Sequence, residues 1–219
     1  EYANMPVDVQ KDEEKGLYYV QKEKKRLYFR KSTPAKKIQK YYRALSMEQD
    51  RRSPHHYFNS VKEVTGKVFV DVGCAEGYSS LEIIEEGKHV YLFEQDEQWL
   101  EAIRATFEPW QDKVTIVQKY VSDHNSSREQ TLDDFFNNQT NEHLFLKMDI
   151  EGAERHALAG CNNLFQNCQK LDFAICTYHL RDDEEVISAF LDKHNCTYIN
   201  QKGFFRHKIR SVVMRGSKK

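Results

Sequence analysis

Lys67-Val68-Phe69-Val70-Asp71-Val72-Gly73-Cys74-Ala75-Glu76-Gly77-Tyr78-Ser79-Ser80-Leu81 is the stretch from which the rest of the chain is read. Val68, Phe69, Val70 and Val72 make a short apolar run rich in β-branched residues, the composition of a buried strand of a parallel sheet. Asp71 sits near its end. Gly73 and Gly77 bracket a tight turn, and residues 78–85 read as the helix that follows. Strand, glycine turn and helix make a nucleotide-binding first unit. Residues without a Cβ let the backbone pass close to a ligand, and a helix N-terminus presents unpaired N–H groups to polar ligand atoms.

The acids in this turn select the ligand. A dinucleotide fingerprint reads G-x-G-x-x-G, whereas the spacing here is Asp71-x-Gly73-x-x-x-Gly77. Carboxylates at Asp71 and Glu76 serve a pyrophosphate poorly and a cation well. S-adenosylmethionine is cationic and free of phosphate, and Asp71 is expected to face its ammonium end. The bland alternative is a core strand with an ordinary turn. A second apolar run, 88–94, ends in Glu94. That acid falls roughly 20 residues after the glycine turn, where a strand-terminal carboxylate accepts both ribose hydroxyls. Asp71, Gly73, Cys74, Ala75, Gly77 and Glu94 are the expected cofactor residues.

At 219 residues the chain is long enough for one α/β domain with a modest extension. Lys plus Arg number 33 and Asp plus Glu 34, so no overall field favours nucleic acid. The cysteines (Cys74, Cys161, Cys168, Cys176, Cys196) form no C-x-x-C pair and read as buried thiols of a reducing compartment, which sets the expected location as cytoplasmic. No apolar run approaches membrane-spanning length. The chain starts at Glu1 without an initiator Met, as an excised domain of a larger glycan-processing protein would.

Two domains are expected, an N-terminal extension over 1–52 and the catalytic unit over 53–219. Residues 1–15 are polar and read as frayed. The runs 17–20 and 26–29 read as a hairpin. Ser32-Thr33-Pro34 reads as a hydroxyl-capped helix start, with Ile38, Tyr41, Tyr42 and Leu45 at helical spacing behind it. The segment 53–57, with His55, either covers the cofactor, lines an acceptor pocket or is a plain linker. A helix over 97–107 carries Trp99, Leu100, Ile103 and Phe107 on one face. The run 113–117 is the third strand, and the loop beyond it borders the adenine in a doubly wound sheet, so Ser122 and Asp123 are expected to bond the ring. Thr131 reads as the cap of a short helix.

The chemical centre is the fourth strand, 143–150, and the residues after it. Lys147, Asp149, Glu151 and Glu154 crowd its carboxyl end, where open α/β sheets bind ligands. Charged residues inside an apolar strand need a reason, since burying them unpaired is costly; a site, or a structural ion pair of Lys147 with an acid, supplies one. A single helix is expected over Ala153, Ala157, Cys161 and Leu164. The fifth strand, 171–177, ends in Tyr178-His179, which puts His179 beside those acids as a base suited to neutral pH. A helix over 182–194 is expected to turn Val186, Ala189, Phe190 and Leu191 inward. The runs 197–200 and 209–214, joined through Gly203, close the sheet as a strand pair.

Four stretches carry a resemblance to a known family: Val70-Asp71-Val72-Gly73-Cys74-Ala75-Glu76-Gly77-Tyr78, Phe93-Glu94, Thr131-Leu132-Asp133-Asp134, and, most specific, Leu146-Lys147-Met148-Asp149-Ile150-Glu151-Gly152-Ala153-Glu154. The chain resembles the FkbM family of S-adenosylmethionine-dependent methyltransferases over about residues 53–215, departing from the family's usual turn at Ala75 and Glu76. The resemblance implies a class I methyltransferase sheet, Rossmann-like and mostly parallel, of seven strands with an antiparallel closing strand. It also implies methylation of hydroxyls on sugars and other natural products, with S-adenosylhomocysteine as product.

The expected activity is O-methylation of a sugar hydroxyl, in a glycan or polysaccharide. His179 is the first choice of base and Asp149 the second. Lys147, Glu151, His55 and Tyr178 are expected to meet the acceptor. A divalent ion on Asp149, Glu151 and His179, magnesium or calcium, is the less favoured arrangement. The alternatives are a non-catalytic interaction module on the same fold and methylation of a non-sugar natural product. A nucleic-acid base methyltransferase would show an Asn/Asp-Pro-Pro-Tyr-like motif where Asp149-Ile150-Glu151-Gly152 stands. An oxidoreductase would need the third glycine.

Overall fold

The computed structural model describes residues 2–137, 142–205 and 208–218. The chain opens with β1 (Val9–Asp12), β2 (Leu17–Lys22) and β3 (Lys25–Tyr28), an antiparallel sheet in that order, followed by α1 (Ala35–Glu48). The residues expected to fray thus include a strand: β1 is too polar to announce itself, but its backbone pairs with β2 from Val9↔Val20 to Asp12↔Leu17. No hydroxyl caps α1; Pro34 stands at its N-cap with an extended backbone and a ring-fixed φ of −65° that leads into the helix.

Alternating strands and helices then build the main layer: β4 (Val68–Val72), α2 (Tyr78–Ile83), β5 (His89–Phe93), α3 (Glu97–Phe107), β6 (Val114–Val117), the two-residue strands β7 (Tyr120–Val121) and β8 (Glu129–Gln130), α4 (Leu132–Phe135), β9 (His143–Met148), α5 (Glu154–Ala159), α6 (Asn162–Asn167), β10 (Lys170–Cys176), α7 (Asp183–Lys193), β11 (Thr197–Phe205) and β12 (Lys208–Lys218). The central sheet has seven strands in the order β11-β12-β10-β9-β4-β5-β6. All are parallel except β12, which runs antiparallel to both β10 and β11. This is the expected class I methyltransferase sheet. Every residue of β4 is buried, as its apolar residues require at the centre of a sheet covered on both faces; Asp71 is the one charged residue among them. The connections reverse direction at β4, with β5 on one side and β9 on the other, which opens a crevice beyond the carboxyl ends of these strands.

Several local expectations are corrected. The stretch 153–164 is two helices, α5 and α6, broken at Gly160, whose Cα lies so close to the Ser122 carbonyl that an added Cβ would stand 2.1 Å from its oxygen. In α7, Ile187 and Leu191 are the buried apolar residues, whereas Val186 and Ala189 face solvent. The expected stripe mixed two faces of the helix. Gly203 lies inside β11, paired with Arg210 and pressed against Pro54. The joining residues 206 and 207 lie outside the described ones. Thr131 caps α4 as expected, accepting from the Asp134 N–H.

The extension and the main layer share one hydrophobic cluster. Leu17, Leu27, Phe29 and Ile38 are buried in it with Leu81 and Ile103. Polar ties reinforce the seam: the Tyr28 N–H donates to Thr106 Oγ1 at 3.0 Å, and Lys25 Nζ donates to the Leu81 carbonyl at 2.8 Å. Burying four such apolar side chains is worth on the order of 6–12 kcal/mol as an upper bound, as much as the whole net stability of an ordinary domain. A chain beginning at Ser53 is therefore expected to lose cooperative unfolding in urea followed by circular dichroism, while the full chain melts in one transition. An undiminished transition in the shortened chain would contradict the shared core.

Candidate active site

A cavity of about 570 Å3 occupies the crevice at the carboxyl ends of β4, β5 and β9. Its floor is the glycine turn after β4 and the ends of the neighbouring strands. Its roof comes from the extension, through Tyr41, Leu45 and Glu48 of α1, and from Tyr57.

Asp71 and Lys147 sit side by side in the sheet register, on β4 and β9. Lys147 Nζ lies 2.8 Å from Asp71 Oδ1 and donates to the Gly73 carbonyl at 2.6 Å. Ser80 Oγ donates to Asp71 Oδ2 at 2.6 Å. Burial works to lower the Lys147 pKa, but the Asp71 and Asp149 carboxylates outweigh it, so the ammonium stays charged. The structural ion-pair reading thus holds for this pair. Asp71 meets a lysine and a serine, and its charge shapes the cavity wall from behind.

The glycines of the turn are needed by the protein itself. Gly73 has φ +77°, and a Cβ there would stand 2.1 Å from the Asp149 carbonyl oxygen; at Gly77, with φ +81°, it would meet the Phe107 ring at 2.7 Å. Both positions demand the left-handed region and close approach. Ala75 is also left-handed, at φ 47°, which aims its N–H at Glu94 Oε2, 3.1 Å away. Glu94 Oε1 accepts the Asp96 N–H at 2.8 Å. Each carboxylate oxygen thus spends one acceptor site on backbone and keeps another for a ligand.

At the other end of the cavity, Asp149 Oδ2 accepts the Tyr57 hydroxyl at 2.6 Å. His179 Nε2 lies 3.5 Å from Asp149 Oδ1 and 3.6 Å from Glu151 Oε2, while its Nδ1 lies 3.0 Å from Glu154 Oε1. Glu154 is wholly buried, and Glu151 is almost fully exposed. Burial would lower the His179 pKa, but the bond to Glu154 and the surrounding carboxylates raise it. Tyr178 stacks beside His179 and packs edge-on against His55, with ring centroids 4.1 and 5.2 Å apart. The burial that surrounds His55 depresses its pKa.

Of the residues singled out from sequence, Asp71, Gly73, Cys74, Ala75, Glu94, Lys147, Asp149, Glu151 and Tyr178 line the cavity. Gly77, His55 and His179 stand directly behind that lining. Ser122 and Asp123 lie farther out: the wall ends at Val121, the Ser122 N–H is used by the Gln130 carbonyl, and Asp123 pairs at the surface with His124. Sequence reasoning missed the contribution of the extension. The Arg30 guanidinium packs over Trp99 at 4.0 Å and pairs with Asp96 at 3.0 Å. Glu76 is buried and accepts the Tyr41 hydroxyl at 2.7 Å, and its pKa is raised chiefly by that burial. Glu48 faces Asp149, Glu76 and Glu151, and burial followed by those like charges raises its pKa to about 7. The helical spacing of α1 was the available signal for Tyr41; Glu76 was read in the glycine turn, but not its bond to that helix.

The model of the methyltransferase FkbM domain matches residues 72–199, more than half of the chain, and the protein belongs to that family. No curated protein matches the chain by sequence. Among solved structures, it resembles the methyltransferase FkbM from Methylobacillus flagellatus, with a TM-score of 0.56 at 16% identity over 84% of this chain. The chain spans 55% of that protein's length. It also resembles the magnesium protoporphyrin IX methyltransferase from Synechocystis with bound S-adenosylmethionine, with a TM-score of 0.53 at 12% identity over 86% of each chain. Membership of this family implies S-adenosylmethionine as the cofactor, and the donor set fits that group. Glu94 keeps acceptor sites suited to a ribose diol. The cavity's acids, Glu48, Asp71, Glu76, Glu94, Asp96, Asp149 and Glu151, outnumber Arg30, Lys119 and Lys147, which suits a cation.

Lys147→Met is expected to destabilise the protein by about 3–5 kcal/mol in denaturant unfolding, because it strands the buried Asp71 charge; a loss under about 1 kcal/mol would contradict the pairing. Glu48 titrates near 4.5 as an unperturbed carboxyl and near 7 when folded. The folded state therefore resists its ionisation, and stability is lost as pH rises across that window. Glu48→Gln should raise the melting temperature more at pH 8 than at pH 5, and an equal shift at both would refute the titration.

Proposed function

We propose that the protein transfers a methyl group from S-adenosylmethionine to a hydroxyl of a sugar, within a glycan or polysaccharide. The observation that carries this reading is the chemistry of the acceptor end. Asp149, Glu151 and Glu48 offer carboxylates that hydrogen-bond to several hydroxyls at once, and Tyr57 and Tyr178 offer aromatic surface beside them. Carboxylates along this wall repel an acceptor rich in phosphate, which disfavours an RNA strand.

When bound, S-adenosylmethionine supplies a methyl group made electrophilic by the positive sulfur. Glu94 holds the ribose through its two remaining acceptor sites. Asp71 acts through Lys147, fixing the carboxyl end of β4 against β9 so that the glycine turn and Asp149 keep their spacing. Asp149 takes the proton from the acceptor hydroxyl as the O–CH3 bond forms and the S–CH3 bond breaks, leaving a neutral thioether. His179 was the first choice of base from sequence. It is not among the residues that line the cavity, and it steadies the Asp149 carboxylate from 3.5 Å away. Proton removal by a placed base contributes typically 10²- to 10⁴-fold in rate.

The test is transfer of labelled methyl from S-adenosylmethionine to a panel of oligosaccharides, with an RNA and a non-sugar polyol as comparison acceptors. Label in a sugar is the expected result. Asp149→Asn should lower turnover at least about 100-fold while S-adenosylhomocysteine affinity changes little. Label only in RNA or the polyol would overturn the sugar assignment, and full turnover in the variant would overturn the base.

A further inference from the structure

Beside the cavity, one cluster has more negative charge than its partners neutralise. Asp149, Glu154 and His179 each offer a ligand atom, and these atoms lie within 4.8 Å of one another. Glu154 sits in the first turn of α5 with no exposed surface. Its Oε1 accepts the Ile150 N–H at 2.8 Å and faces His179 Nδ1 at 3.0 Å. Its Oε2 is buried and accepts no hydrogen bond. A buried carboxylate oxygen without a partner is costly. His179 stands among Glu154, Asp149 and Glu151, and Glu48 adds a further acid from α1.

We propose that Asp149, Glu154 and His179 form a site for one divalent transition-metal ion at the acceptor end of the cavity. One imidazole nitrogen with two carboxylate oxygens is a donor set that zinc or manganese accepts, and softer than the all-oxygen sets of magnesium and calcium. Outer partners of the kind that orient metal ligands are already in place. Tyr57 holds the free oxygen of Asp149, and the Ile150 N–H holds Glu154. The ion supplies a partner to buried polar atoms that have none, Glu154 Oε2 and the His179 ring nitrogens among them. Since Asp149 also lines the cavity, open coordination positions there would orient an acceptor oxygen. The catalytic part of this inference rests on the methyltransferase reading; the binding part does not.

The full chain, stripped with chelator, is titrated separately with zinc chloride and with manganese chloride by calorimetry and equilibrium dialysis, and with S-adenosylhomocysteine in parallel. One equivalent of metal is expected per chain, with magnesium weaker. Glu154→Gln should weaken metal binding by about 10- to 100-fold or more. Asp149→Asn, at a half-buried position, keeps the test decisive where the Glu154 variant fails to fold, and it should weaken binding by a similar factor. Saturable binding that is unchanged in a folded Asp149→Asn variant would place the metal elsewhere, for instance on Cys196, and would overturn the site. Absence of zinc and manganese uptake while S-adenosylhomocysteine titrates normally would also overturn it, leaving the methyltransferase reading intact.

Discussion

The buried ion pair between Asp71 and Lys147 is the constraint on which the site depends. It joins adjacent strands at the register where the sheet reverses its winding. Lys147 then reaches the Gly73 carbonyl, and the Asp149 N–H bonds the Val72 carbonyl at 3.1 Å. Two loops from opposite sides of the switch point are thereby held in contact, close enough that only glycine fits at position 73. Desolvating both charges is expensive, and it is tolerated because each has further hydrogen bonds. Glu94 and Asp149 stand at opposite ends of one cavity because this junction fixes the strand ends that carry them.

The second organising feature is the extension. It completes the hydrophobic core on one face of the sheet and roofs the cavity with α1. Its contributions are chemical as well as structural. Tyr41 neutralises part of the cost of burying Glu76, and Glu48 brings a carboxyl that titrates near 7 into the field of Asp149 and Glu151. A cationic cofactor entering this cavity meets a field already set for positive charge. The same carboxylates raise the His179 pKa against the burial that would lower it.

Much of this was legible in the sequence, for identifiable reasons. Buried parallel strands write themselves as apolar runs, and strand-terminal acids such as Glu94 and Asp149 follow from the run lengths. The seven strands and the antiparallel closing strand followed from the alternation of elements and the resemblance. What stayed hidden depended on contacts between distant residues. Asp71 was read as facing the cofactor and Lys147 either as a site residue or as the ion-pair partner of an acid, but nothing in the sequence says that these two meet each other. The four residues of β1 carry no apolar alternation and become a strand through pairing alone. Ser122 and Asp123 were assigned by position in an idealised sheet, yet the chain turns away after Val121 to pair β7 with β8. Glu154 was read among the acids at the carboxyl end of the fourth strand, but its complete burial against His179 shows only in the fold.

The central claim is that this cavity is an S-adenosylmethionine site anchored by Glu94. Calorimetric titration of the wild type and of Glu94→Ala with S-adenosylhomocysteine tests it most directly. Clear one-to-one binding by the wild type, weakened at least about tenfold in the variant, is the predicted result, since each lost charge-assisted hydrogen bond is worth about 1.5–3 kcal/mol. No binding to intact folded protein, or equal affinity in both, would contradict the account.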